Sequence, residues 1–83
     1  MQKGINSDVN VRGKSYHIQT EDWGVANPYL VSRVFANGAV LKTVKTNYKE
    51  AIKTENAPSA ELIREALRRQ HNAIMEELFS GQI

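Results

Sequence analysis

Between Ile5 and Thr20 apolar and polar side chains alternate, and Arg12-Gly13 interrupts the alternation midway. That is the pattern of two half-buried strands joined by a tight turn. Closing the turn with Val11 opposite Lys14 sets Val9 against Tyr16 and Ser7 against Ile18. Ile5, Val9, Val11, Tyr16 and Ile18 then share one face, and Asp8, Asn10, Ser15, His17 and Gln19 the other. A slip of one residue would divide the apolar set between the faces, so the pattern selects the register. From Glu21 to Pro28 the alternation stops, and Gly24 and Asn27-Pro28 mark a connecting loop. A second hairpin follows, Tyr29–Ala36 and Ala39–Thr46 around Asn37-Gly38, whose residues tolerate the positive φ of a hairpin turn. A two-residue turn there pairs Phe35 with Val40 and Val31 with Val44, apolar against apolar. It also sets Arg33 opposite Lys42, a like-charge pair that needs a physical reason.

The period changes after Thr46. Residues 47–54 suit a short helix capped by Thr46 or Asn47, ended by Glu55-Asn56-Ala57-Pro58. Ser59 is a natural N-cap, Glu61 suits the positive end of a helix dipole, and Gly81 is a natural stop. A long helix over 59–80 results. Leu62, Ile63, Ala66, Leu67, Ala73, Ile74 and Leu78 form its apolar stripe, which Gln70 and Glu77 interrupt. The expected fold is α+β: a four-stranded antiparallel sheet from two hairpins (5–46) packed against the long C-terminal helix, in the order β-β-β-β-α-α. The whole chain, 1–83, reads as one domain. Alternation leaves the strand order open.

Composition adds a few constraints. With 83 residues, 41% of them hydrophobic, the chain can build one modest core, and self-association is a ready route to further burial. It has no cysteine, which removes disulfides, thiolate catalysis and thiolate metal sites. The N-terminal residues lack the apolar run of a secretory leader, and no stretch approaches the ~20 apolar residues that span a bilayer. These features lead to the expectation of a soluble, cytoplasmic protein with no membrane partner. The net charge of +2 is small, but between Arg33 and Lys53 five basic residues face Glu50 alone.

Four groups of residues hold candidate chemistry. His17 and His71 lie on different elements, and a metal or acid–base site would need them to converge with Asp8, Glu21 or Asp22. Phosphate loops, dinucleotide turns, nucleophile elbows and zinc-binding helices have no counterpart in the sequence, so neither an enzyme nor a cofactor is expected. Trp23, the single tryptophan, either plugs an open end of the sheet or serves as an exposed anchor. Its neighbours Glu21 and Asp22 would then favour a basic partner. On the long helix Met75 and Phe79 stack at i,i+4, away from the core stripe, and Arg64 and Arg68 continue the same strip. One sheet covers only one face of a helix, so this strip either curls back onto the sheet edge or meets a partner. Arg33, Lys42, Lys45, Lys49 and Lys53 would suit an anion, and with Tyr29 or Phe35 beside them would resemble a platform for single-stranded nucleic acid.

The run Tyr16-His17-Ile18-Gln19-Thr20-Glu21-Asp22, followed by Asn27-Pro28 and Asn37-Gly38, resembles a segment of short uncharacterised bacterial proteins. The similarity covers about residues 8–50, implies a bacterial source and carries no activity. The functional expectation is a non-catalytic protein-interaction or adaptor module that binds a protein partner or itself, with a homodimer through the C-terminal helix as one form. Its contact residues are Trp23, Arg64, Arg68, Met75 and Phe79. The alternative is a small nucleic-acid-binding domain using the basic 33–53 region.

Overall fold

Both hairpins form as the alternation predicts, and they join edge to edge. In the computed structural model, which describes residues 1–53 and 58–83, β1 (Ile5–Val11), β2 (Lys14–Asp22), β3 (Tyr29–Ala36) and β4 (Ala39–Asn47) make one antiparallel sheet. The strands lie in the order β1-β2-β3-β4. A short helix, α1 (Tyr48–Ala51), follows, and α2 (Ala60–Ser80) lies across one face. Asn47 caps α1 by accepting the Lys49 N–H at 2.8 Å, and Ile52 is already extended. The helix expected over 47–54 is therefore a single turn, and the break expected at 55–57 falls outside the described residues.

The first hairpin has the register its pattern selects, Val11 opposite Lys14 and Ser7 opposite Ile18. Its turn puts Arg12 at φ 50° and Gly13 at φ 81°, the mirror-image turn that matches strand twist. A side chain in that region costs about 1–2 kcal/mol. Arg12 has a compensating partner. Its guanidinium donates to the Leu78 and Phe79 carbonyls at 3.1 Å each, a cation on the last turn of α2. Gly81, left-handed, lets the Gln82 N–H reach the Glu77 carbonyl at 2.8 Å and closes the same helix end.

The second hairpin corrects the expected register. Asn37-Gly38 makes the two-residue turn, and Phe35 pairs with Val40 as expected. Between Val34 and Phe35 the register then shifts by one, and Leu41 is left without a partner on β3. Val31 therefore faces Lys45, not Val44, and Arg33 faces Thr43, not Lys42. The bulge removes the like-charge pair. It also turns Lys42 to the helix side, where its ammonium meets the Glu77 carboxylate at 2.6 Å.

Between sheet and helix the apolar core comes in two parts. One gathers Leu30, Tyr48, Ile52, Ile63, Ala66 and Leu67; the other gathers Val11, Ile18, Val34, Ile74 and Leu78. Ser7, Thr20 and Ser32 sit at positions that alternation assigns to the core, and Gln70 and His71 sit opposite them on α2. They form a chain of hydrogen bonds. Gln70 Nε2 reaches Ser32 Oγ at 2.9 Å, Ser32 Oγ reaches Thr20 Oγ1 at 2.8 Å, Thr20 Oγ1 reaches His71 Nδ1 at 2.8 Å, and His71 Nε2 reaches Ser7 Oγ at 2.8 Å. Gln70 Nε2 also faces the Leu30 and Val44 carbonyls, which fixes it as a donor. Each hydroxyl can then pass its own proton along, from Ser32 to Thr20 to Nδ1, leaving Nε2–H to donate to Ser7. A neutral imidazole completes the chain in this direction, and burial favours the uncharged ring. Burial, and secondarily the charge of His17, lower the His71 pKa from its ordinary value.

Asp22 makes the other polar tie. It is buried, and its carboxylate accepts the Gln2 N–H at 2.7 Å, the Gly24 N–H at 2.9 Å and the Tyr48 hydroxyl. Burial pushes this carboxyl up, but the three donors outweigh it and hold the pKa below the ordinary aspartate value. Burial and the adjoining carboxylate push the Tyr48 phenol above its own. The N-terminal segment, the β2–β3 loop and α1 are thereby fastened to one point.

Two stability predictions follow from these ties. His71 is neutral in both native and unfolded chains above about pH 6.5. Below that the unfolded chain takes the proton and the native chain resists it, so stability falls as pH drops, by up to about 1.4 kcal/mol per pH unit. Urea melts from pH 8 to pH 5 should show this decline, and His71→Leu should remove it while lowering stability throughout. At the turn, Arg12→Ala should destabilise by about 0.3–2 kcal/mol through loss of the helix cap, the unfavourable φ being common to both. Arg12→Gly should cost less, because it relieves the backbone.

Candidate functional site

With α2 on one face, the other face of the sheet has no covering layer among the described residues. Alternation places Asp8, His17, Gln19, Glu21, Arg33, Phe35, Thr43 and Lys45 there, and backbone pairing of Trp23 N–H with the Tyr29 carbonyl at 3.0 Å continues the face one step further. Val31 points the same way and is only 2% exposed. Only side chains of its own face can seal it. Glu21 and Lys45 flank it across the strands, and Arg33 and Lys45 both lie against the Trp23 ring.

The geometry there is cationic and aromatic. The Lys45 ammonium lies 5.1 Å from the Trp23 ring centre and 4.2 Å from that of Tyr29, and the Arg33 guanidinium lies 5.9 Å from Trp23. Both cations are within the distance at which a ring quadrupole attracts a charge. The ion pairs among the described residues are His17–Asp8 and Lys42–Glu77, so Arg33 and Lys45 have rings, not carboxylates, as partners. Toward the hairpin tips the same face holds an open trough of about 470 Å³ between Asp8, His17, Phe35 and Asn37. His17 Nδ1 lies 2.9 Å from Asp8 there, and its ring packs 5.9 Å from Phe35.

The expected site residues separate into groups. Trp23 joins Arg33 and Lys45 on the open face. Lys42 is on the other side with Glu77, and Lys49 and Lys53 are exposed at and beyond α1, so the five basic residues do not share a surface. His17 is on the open face and His71 beneath the helix, and Asp22 is buried on the helix side, away from Glu21. Among the described residues no three of His, Cys, Asp and Glu converge as metal ligands would. On α2, Met75 packs against the core, Arg64 and Arg68 are exposed, and Phe79 is 52% exposed. Leu62 and Ala73, expected in the stripe, are exposed, and His71 takes a place in it. The two acidic neighbours of Trp23 separate in the fold. Asp22 faces the other way by simple alternation, while Glu21 shares the open face with Trp23, Arg33 and Lys45.

No protein-family model, curated protein or solved structure matches the chain. The chemistry of the open face therefore stands by itself. Sequence reading gave Trp23, Arg33 and Lys45 separately but missed their union, because Trp23 sits beyond the alternating run and Lys45 is brought over by the bulge. Continuing the β2 alternation past Asp22 was the available signal.

The cluster makes a stability prediction. Trp23→Ala should cost about 1–3 kcal/mol by uncovering Val31. A double-mutant cycle with Lys45→Met should return a coupling of about 0.5–1 kcal/mol, measured by urea unfolding.

Proposed function

We infer that this domain is a non-catalytic interaction module that binds an acidic segment of a protein partner on the open face of its sheet. The supporting observation is the cluster of Trp23, Tyr29, Arg33 and Lys45. Two cations lie against aromatic rings, with no ion-pair partner among the described residues, around the residue type most enriched at binding hot spots. A partner carboxylate laid across Arg33 and Lys45 gains charge-assisted hydrogen bonds at groups already held in position. The second reading, single-stranded nucleic acid, draws on the same rings and on Phe35. It is the weaker one. Cations of the domain itself stand over Trp23 and Tyr29, which takes up ring faces on which bases would stack.

Selection from a phage-displayed random peptide library tests the choice. The expected peptides are rich in Asp and Glu, and the double variant Arg33→Glu, Lys45→Glu should lose them by tenfold or more. Peptides without acidic residues, or equal binding by the variant, would contradict the reading. Anisotropy of labelled oligo(U) and oligo(dT) decides the rival: binding that collapses as salt rises would favour nucleic acid.

A further inference from the structure

The two edges of the sheet are built differently. The β4 edge is bulged at Leu41 and carries Lys42 and Lys45, both devices that discourage another strand from adding. The β1 edge has neither. It pairs with β2 without a bulge, contains no lysine or proline, and bears a single charge, Asp8. Across a two-residue hairpin turn the flanking residues, here Val11 and Lys14, exchange both hydrogen bonds, and bonded pairs then alternate along the ladder. Ile5, Ser7, Val9 and Val11 thus direct their backbone groups toward β2. Asn6, Asp8 and Asn10 direct theirs outward, and all three are exposed.

We propose that a second copy of this chain adds antiparallel to β1 about a two-fold axis at Ser7, making one eight-stranded sheet. The strand is complementary to itself about that point. Ile5-Asn6-Ser7-Asp8-Val9 reads apolar, polar, small, polar, apolar in either direction. Ile5 meets Val9 of the second copy on the helix side, where both are only half-buried at the margins of the two cores. Asn6 meets Asp8 of the second copy on the open side, amide against carboxylate. An axis at Asp8 would oppose two carboxylates, and one at Val9 would oppose Val11 and Ser7. The helix continues the contact. Gln70 and Glu77 reach β4, and at about 100° per residue Phe79 projects from the opposite side of α2, over the β1 edge. Pairing would bring that exposed ring against the second copy, as an isologous contact requires. One strand pair and one ring make a contact at the low end of interface sizes, so the association to look for is a weak one.

Sedimentation velocity from about 10 to about 500 µM tests this on the wild type, Asn6→Asp and Asn6→Lys. Asn6 is exposed, so both variants keep the monomer fold, which circular dichroism verifies. The wild type should dimerise. Asn6→Asp opposes two carboxylates at each of two symmetric places and should weaken the dimer about tenfold, and Asn6→Lys should strengthen it. A wild type that stays monomeric at the highest concentration overturns the proposal. So does a dimer that neither substitution moves, since its contact would lie elsewhere. The peptide-binding test on the open face is independent of either outcome.

Discussion

The buried hydrogen-bond chain from Gln70 to Ser7 fixes where the helix lies on the sheet. An apolar interface alone would tolerate a slide of one turn, because leucine and isoleucine on either side can exchange places. A relay of five polar side chains cannot slide. Displacing α2 by one turn would part His71 from Ser7 and Thr20 and Gln70 from Ser32, and each buried group left unsatisfied costs about 1–3 kcal/mol. Among the described residues every buried side-chain polar atom is paired. The relay divides the apolar core in two and reaches from β1 through β2 to β3, so one network sets three of the four strands against the helix.

Other features of the molecule depend on that placement. With α2 held over one face, the other is left for Trp23 and its cations, and Val31 becomes the base of a small sealed cluster there. The end of α2 lies where Arg12 can reach its last carbonyls, which makes the strained turn tolerable. Asp22 and Tyr48 hold the far end in the same manner, tying the β2–β3 loop to α1 just beneath the strand position from which Trp23 projects. Hydrogen bonds at both ends of the sheet thus hold the strands from which the open-face side chains project.

Most of this fold was legible in the alternation. The first hairpin and its register, the Asn37-Gly38 turn and the limits of α2 each follow from patterning that one physical rule accounts for. The bulge was not legible directly, but its trace was: Arg33 opposite Lys42 was an electrostatic conflict, and the insertion of Leu41 is how the chain avoids it. His71 and Gln70 were harder to place. A wheel shows that Gln70 interrupts an apolar stripe, and only the strand order reveals that Ser7, Thr20 and Ser32 await it and His71. Of the two acids before Trp23, alternation turns Asp22 to the helix side and leaves Glu21 on the open face with the indole. Lys42 and Lys45 likewise separate by a half-turn of the pleat. The site was thus present in the sequence as residues and absent as geometry, because the single-residue shift in β4 decides which lysine joins it.

The relay is the claim that the rest leans on, and its proton positions can be observed directly. A long-range nitrogen–proton correlation spectrum of the histidine side chains at neutral pH distinguishes the two neutral tautomers from the imidazolium. The account predicts that His71 is neutral, with the proton on Nε2 and an unprotonated, accepting Nδ1. A His71 ring protonated at Nδ1, or charged and exchanging freely with solvent, would contradict it.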